Sequence, residues 1–310
     1  MFKFFKRLFL LVLLGITSSL FILILVFFIY GKNLPNFDKL SYYQPRLVSK
    51  IFTTNGNFLE DYSNENRIFI NYDQIPLKLI NCFLVSEDIN FYNHFGVDFK
   101  GILRALGKNM LKIFSNKRPE GASTITQQVA KNLLLTNELS YSRKIKEIII
   151  SLRMEKLLTK ERIMELYLNE IYLGNGSYGV ASASLNYFNK SLDELELAEI
   201  SYLAGLPKGP NNYHPEKNKS AAIIRRNYVL NRMYEDNIIS KEKALKTSLQ
   251  PIASKKFKEN SKIYAPYFIE EVRRQVIDKY QENALYKEGL HVITTIDPRL
   301  QKAAIQALRS

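Results

Sequence analysis

From Leu8 to Tyr30 no side chain is charged, and Leu, Ile, Val and Phe dominate the stretch. Roughly 20 such residues span a bilayer core as an α-helix, so this run predicts a transmembrane segment. The texture then turns polar and proline-punctuated from Asn33 to Arg46, with Pro35 and Pro45, which predicts a juxtamembrane linker. Leu47 to Phe58 reads as two short strands around Thr54-Asn55-Gly56-Asn57, because Asn-Gly favours a tight hairpin turn. Ile68-Phe69-Ile70 is expected to add another strand. Beyond Pro76 the pattern becomes helical and stays so for most of the next roughly 170 residues.

A helix from about Leu77 to Glu87 carries Ile80, Phe83, Leu84 and Val85. A second, Phe99 to Phe114, sets Ile102, Leu103, Leu106, Met110 and Ile113 on one face. The basic stretch Asn116 to Gly121 has turn chemistry, and Ser123 is placed to cap the helix that follows it. On that helix Ile125, Val129 and Leu133 form an apolar side, while Thr124, Gln127, Gln128 and Lys131 share the opposite face. The next helix opens at Ser142 and is expected to bury Ile145, Ile148, Ile149 and Leu152. Thr159 to Tyr172 is again amphipathic, and Gly174-Asn175-Gly176-Ser177-Tyr178-Gly179 reads as a tight loop. That loop is no dinucleotide fingerprint, since no strand precedes it and the glycine spacing fails. Ser191-Leu192-Asp193-Glu194 reads as a capping box opening a helix that ends near Gly205. A basic helix with Arg225, Arg226, Val229, Leu230 and Met233 follows the loop from Leu206 to Pro215. Past Ser240 the sequence is lysine-rich to Lys262. A helix from Pro266 to Tyr280, a strand from Leu290 to Thr295 and a helix from Pro298 to Leu308 come next. The expected organisation is an anchor with a short cytoplasmic tip at 1–31 and a linker with short strands at 32–75. A helical domain at 76–238 and a junction toward a further domain at 239–310 complete it.

Composition narrows the setting. With 310 residues, 46% hydrophobic and 24% charged, the chain is long enough for one large or two modest domains. The net charge of +14, from 44 basic against 30 acidic residues, points to a polyanionic partner or an anionic membrane surface. Lys3, Lys6 and Arg7 precede the apolar run, which keeps the N-terminus cytoplasmic and puts the rest of the chain outside. A cleaved signal peptide is the competing reading. The run is longer than a typical signal core, and no small-residue cleavage pattern follows Tyr30, so an uncleaved anchor is expected. The single Cys82 excludes an intrachain disulfide and a cysteine-based zinc site, and its apolar neighbours predict a buried inert thiol.

Three places carry candidate chemistry. In Ser86-Glu87-Asp88-Ile89-Asn90-Phe91-Tyr92-Asn93-His94-Phe95-Gly96, a carboxylate on the last turn of a buried helix faces the negative end of the helix dipole. Partial burial adds a desolvation cost, and both effects raise a carboxyl pKa toward the range useful for a general base. A plain helix end followed by a packed aromatic loop would look the same. Asp88 points away from Glu87 on a helix and suits structural hydrogen bonding, and His94, with no metal spacing around it, suits loop bracing. The amide, hydroxyl and lysine stripe from Thr124 to Lys131 suits sugar hydroxyls or phosphate oxygens, with an ordinary polar surface as its alternative. Arg143 and Glu147 have the spacing of a helical ion pair, and among cations such a carboxylate stays ionised.

These segments, in order, resemble the signatures of the peptidoglycan glycosyltransferases of family 51. Glu87-Asp88-x-x-Phe91-x-x-His94-x-Gly96 looks like the first, and Gly121-x-Ser123-Thr124-Ile125-Thr126-Gln127-Gln128-x-x-Lys131-Asn132 like the second. Arg143-Lys144-x-x-Glu147, Ile163-x-Glu165-x-Tyr167-Leu168-Asn169 and Arg225-Arg226-x-x-Val229-Leu230 look like the remaining three. Gly289 to Gln301 is similar to the linker entering the transpeptidase domain of bifunctional class A penicillin-binding proteins. The transpeptidase signatures themselves are missing: Ser240-x-x-Lys243 fits one by spacing, without its partners and at a helix start.

The resemblance implies a mainly α, lysozyme-like glycosyltransferase domain on one membrane anchor, with a small hairpin element. It implies polymerisation of lipid II in cell-wall synthesis, with inversion and release of undecaprenyl pyrophosphate. By the same resemblance Glu87 is the general base and Glu147 the second catalytic carboxylate, beside the donor's pyrophosphate. Ser123, Thr124, Gln127, Gln128, Lys131, Asn132, Arg143 and Lys144 would bind substrate. Asp88, Phe91, His94, Gly96 and Arg225 would support the site. No cofactor is implied, although a divalent metal beside Glu147 is compatible with it. The implied partners are lipid II, the growing lipid-linked glycan, the membrane and other cell-wall synthesis proteins, with no nucleic acid. A lytic transglycosylase, which needs one acid and no pyrophosphate-binding cations, and a non-catalytic membrane scaffold are the alternatives.

Overall fold

The structure is a computed structural model and describes residues 2–32, 34, 49–61, 66–111, 121–135, 140–252 and 265–309. Most of the linker expected at 33–46, the basic stretch at 116–120 and residues 253–262 of the lysine-rich stretch lie outside the described residues.

The apolar N-terminal run forms one helix, α1 (Phe2–Gly31). Among the described residues it is one helix long and apolar enough to cross a membrane, and none of its apolar window is buried within the protein. Two strands, β1 (Lys50–Phe52) and β2 (Phe58–Asp61), pair antiparallel around the turn at Gly56, whose φ of +75° suits glycine. The next strand, β3, is Asn66–Arg67 rather than Ile68–Ile70. Ile70 instead donates its N–H to the Asn169 side-chain oxygen and accepts from the Asn169 side-chain nitrogen at its C=O, at 2.9 Å each. That exchange occupies the groups a sheet ladder would need.

Helices then follow in series: α2 (Leu77–Glu87), α3 (Phe99–Leu111), α4 (Ile125–Leu134), α5 (Tyr141–Leu157) and α6 (Lys160–Glu170). After β4 (Ser177–Tyr178) come α7 (Val180–Phe188), α8 (Leu197–Gly205), α9 (Lys219–Glu235), α10 (Lys241–Ser248) and α11 (Pro266–Lys287). β5 (His291–Ile293) and α12 (Pro298–Arg309) close the chain. The architecture is mainly α, as the helical periodicity predicts.

Several boundaries differ from the sequence reading, each for a local reason. The cap of α4 is Thr124 rather than Ser123, with a reciprocal box to Gln127. α5 starts one residue earlier than expected, capped by the Ser140 hydroxyl, which accepts the Arg143 N–H at 3.1 Å. Glu194 closes a turn back onto the Ser191 N–H and hydroxyl at 2.8 and 3.0 Å, and α8 begins only at Leu197 under a Glu196/Glu199 box. α11 is interrupted at Gln281, where φ 69° and ψ 162° leave the helical region. The Ser240 hydroxyl caps α10 by accepting the Lys243 N–H at 3.1 Å, so Ser240-x-x-Lys243 is a helix start.

The chain divides into two compact units, Met1–Tyr42 with Asn90–Ile163, and Tyr43–Ile89 with Met164–Ser310. In the first, α4 packs on α5 through Ile125, Val129, Ala130, Ile149, Ile150 and Met154, all buried. α3 buries Gly101 and Ala105, while Leu103, Leu106 and Met110 stay exposed. Its broad apolar face is therefore not core, because the helix packs through its small residues.

In the second unit α2, α8 and α9 pack on one another around Leu79, Phe83, Tyr202, Leu203, Val229 and Leu230. Cys82 lies in this core, its thiol 3.2 Å from the Met233 sulfur, and burial pushes its pKa up to about 12. It is the inert thiol expected of it. β5 joins the hairpin by pairing parallel to β1, with Ile51 opposite Val292. Ile51, Leu59, Ala265 and Ile296 form a small separate core beneath that sheet. Two acids of α6 brace the same unit: Glu165 accepts the Tyr72 N–H at 2.7 Å, and Glu170 is ion-paired with Arg67.

Candidate active site

The opening motif is divided between the two units, with Glu87 and Asp88 in one and Phe91, His94 and Gly96 in the other. α2 delivers Glu87 on its last turn, where the buried run from Cys82 to Val85 gives way to the half-buried Ser86 and Glu87. The Glu87 side chain is 14% exposed and lies 3.8 Å from the Arg225 guanidinium. Arg225 is itself fixed, donating to the Gly205 carbonyl at 2.9 Å and the Ser86 hydroxyl at 3.2 Å. Asp88 is buried at the end of α2, its backbone N–H closing the helix onto the Leu84 carbonyl.

Tyr167 belongs to this group. Its ring meets Phe83 edge-on, but its hydroxyl is buried with no hydrogen-bond partner among the described residues. Burial first, and then the charges of Glu87 and Asp88, push that hydroxyl's pKa well up. The result is a neutral O–H in the field of two carboxylates. A tyrosine three residues from a helix end, on an otherwise apolar face, was the available signal.

In the other unit the loop from Asn90 to Asp98 is held by contacts spread along the chain. Phe91 is fully buried, with the His94 ring edge-on to it. The Lys160 ammonium donates to the His94 carbonyl at 2.6 Å and to Glu155 at 2.7 Å, and sits 4.4 Å from the Phe91 ring centroid. Glu155 also accepts the Thr126 hydroxyl at 2.7 Å. This partly buried Lys160–Glu155 pair bridges two helices, so helical spacing could not reveal it. Gly96 has φ +79°, and a Cβ there would meet the Ser151 carbonyl at 2.6 Å. Gly96→Ala is therefore expected to destabilise the chain by about 2–4 kcal/mol, from backbone strain plus the clash. Thermal or denaturant unfolding of the two proteins checks this, and an unchanged midpoint would contradict it.

The polar stripe on α4 is not a uniform surface. Thr124 and Gln127 are buried: the Thr124 hydroxyl donates to the Gly96 carbonyl at 2.6 Å and accepts the Gln127 N–H at 3.2 Å. The Gln127 carbonyl oxygen accepts the Thr124 N–H at 2.9 Å. Gln128 is half-buried, and Ser123, Lys131 and Asn132 are exposed.

Glu147 is 3% exposed on the buried face of α5, together with Ile149, Ile150, Ser151 and Met154. The face expected from Ile145, Ile148 and Leu152 is only half-buried, because packing against α4 turns the helix toward Ile150 and Met154. The ion pair of Glu147 forms with Lys144 rather than Arg143. The Lys144 ammonium also donates to the Ser123 hydroxyl at 2.7 Å, which joins two sequence motifs in one chain of contacts. Arg143 is half-buried, with its Nε lacking a hydrogen-bond partner among the described residues.

The Glu147 carboxylate is matched by the Lys144 ammonium, and no group of three or more His, Cys, Asp or Glu that could by itself hold a metal ion is present among the described residues.

Comparison with known proteins gives a consistent picture. A family model described as Transglycosylase matches residues 55–234. Penicillin-binding protein 1A of Rickettsia typhi is 43% identical over 310 residues, covering 100% of this chain and 39% of that protein. The Escherichia coli K12 protein of the same name is 39% identical, covering 90% of this chain and 32% of its own length. A crystal structure of penicillin-binding protein 1A from Haemophilus influenzae superposes with a TM-score of 0.53 at 27% identity, covering 86% of this chain and 29% of that one. The chain thus spans well under half the length of these relatives.

Proposed function

This chain belongs to the transglycosylase family, and we propose that it is a peptidoglycan glycosyltransferase that polymerises lipid II into glycan strands. The observation that carries the reading is Glu87: a partly buried carboxylate at a helix end, braced by Arg225 and Ser86, beside a neutral buried tyrosine. A carboxylate held that way can accept a proton from a sugar hydroxyl without moving.

In the proposed reaction the acceptor's 4-hydroxyl attacks the anomeric carbon of the lipid-linked chain while Glu87 takes the hydroxyl proton. The new C–O bond forms with inversion as the anomeric C–O bond breaks, and undecaprenyl pyrophosphate leaves with the bonding pair. Lys131, Arg143 and Lys144 would neutralise the charge that develops on the departing pyrophosphate. Glu147 would hold Lys144 in place, and Ser123, Gln128 and Asn132 would offer hydrogen bonds to the donor. Thr124 and Gln127, committed to the cap, would act by fixing the start of α4 and the Gly96 loop. The positive-inside pattern of Lys3, Lys6 and Arg7 supports an extracytoplasmic catalytic domain on a single span. The exposed apolar stripe of α3 suits contact with the bilayer that holds the substrate's tail.

The test is direct. Detergent-solubilised chain incubated with labelled lipid II should yield long glycan, resolved by gel electrophoresis. Unchanged lipid II would sink the enzymatic reading and leave the scaffold; shortening of pre-formed glycan instead would favour a lytic enzyme.

A further inference from the structure

Where the last turn of α1 meets the middle of α5 there is a cavity of about 520 Å³. Phe27, Phe28, Ile149 and Leu152 form its apolar wall, and Lys32, Arg153 and Lys156 bring three cations to the same space. No carboxylate is among its lining residues. The helix end is seated there by contact: the Arg153 guanidinium donates to the Gly31 carbonyl at 3.3 Å, and a Cβ at Gly31 would approach that nitrogen to 3.1 Å. The Lys32 ammonium lies 4.4 Å from the Phe28 ring centroid.

The order of these groups along the membrane normal is informative. From Phe4 to Leu25 every described side chain of α1 is exposed, so lipid surrounds that stretch if the helix spans. Gly31 and Lys32 then mark the interface. Phe27 and Phe28 lie one turn toward the hydrocarbon, and the cations lie on the polar side. A glycerophospholipid has the same order, acyl chain and then phosphate, whereas a soluble polyanion would leave the apolar wall unmatched. Basic pockets beside a membrane helix bind acidic headgroups, and a planar guanidinium matches a phosphate geometrically. We propose that this cavity binds the phosphate headgroup of an anionic membrane glycerophospholipid and so pins α1 to α5. The proposal rests on α1 crossing a bilayer and is independent of glycosyl transfer.

The experiment uses the full chain purified in detergent and supplied with mixed micelles of dioleoyl-phosphatidylglycerol or dioleoyl-phosphatidylcholine, with retained lipid counted by native mass spectrometry. The parent should retain phosphatidylglycerol in clear preference to phosphatidylcholine. At roughly fivefold per removed charge, Arg153→Gln with Lys156→Gln should weaken phosphatidylglycerol retention about 25-fold. Lys156→Gln alone, at an exposed position that folding tolerates, should weaken it roughly fivefold. Leu152→Trp, which fills the cavity and keeps every charge, should also reduce retention. Lys246→Gln with Lys302→Gln, remote from α1 in sequence and exposed, should leave it unchanged. Equal retention of the two lipids, or an equal loss in the remote double variant, overturns the proposal. Displacement of the lipid by free glycerol phosphate at matched concentration also overturns it, since the site would then belong to a soluble phosphate.

Discussion

Replacing Glu87 by Gln is expected to lower the rate of glycan polymerisation by at least about 100-fold, the usual range for loss of a general base. The substitution is nearly isosteric, so α2 keeps its packing and the Ser86 hydroxyl keeps a partner. What disappears is the group that can take a proton from the attacking hydroxyl. Arg225 loses a counter-charge 3.8 Å away but retains its bonds to the Gly205 carbonyl and Ser86 hydroxyl. Stability should therefore change by only about 1 kcal/mol, within the range of a single lost hydrogen-bonded partner. Activity and stability thus separate, and polymerisation measured beside thermal unfolding reads both. Polymer from the variant at the parental rate would remove Glu87 from its role. A loss of activity matched by a collapse of the fold would assign Glu87 to structure.

The second large effect is at Lys144. Lys144→Met is expected to lower kcat/KM by roughly 100- to 1,000-fold, the range for removing one pre-organised charge from a transition-state site. It should also destabilise the chain by about 2 kcal/mol, because Glu147 would be left buried and uncompensated. That figure sits below the span for a fully buried pair, since the Lys144 side chain is 45% exposed. A further Glu147→Leu substitution should restore stability, by removing the orphaned charge, without restoring activity. Lys144→Arg should recover part of the rate. If Lys144→Met polymerised normally, the cation would belong to helix packing alone.

Both predictions concern residues that spacing pointed to and geometry then redefined. Arg143 and Glu147 have a helical ion-pair spacing, yet the pair forms with Lys144, one residue on. Both cations lie within one turn of the carboxylate, and the direction from which α4 approaches selects between them. The stripe from Thr124 to Lys131 was legible as a polar face, but half of it is buried in a cap. A helix wheel shows which residues share a face and carries no information about the Gly96 carbonyl that waits for the Thr124 hydroxyl. On α3 the apolar face was equally plain in the sequence, and the structure leaves Leu103, Leu106 and Met110 uncovered.

By itself the sequence determined what depends on residues near one another in the chain. The apolar N-terminal span, the helical periodicity, the Asn-Gly hairpin, the inert Cys82 and the candidacy of Glu87 and Glu147 are of this kind. Tertiary structure alone decided what depends on residues brought together from afar. It chose Lys144 for Glu147, set Arg225 against Glu87, and placed Tyr167 in the field of two carboxylates. It closed the Lys160–Glu155 pair under the His94 loop and paired β5 with β1. The physical reason is common to all of these. Local spacing fixes which side chains can share a face, whereas burial, which governs the strength of every charge and hydrogen bond, depends on the element that covers that face.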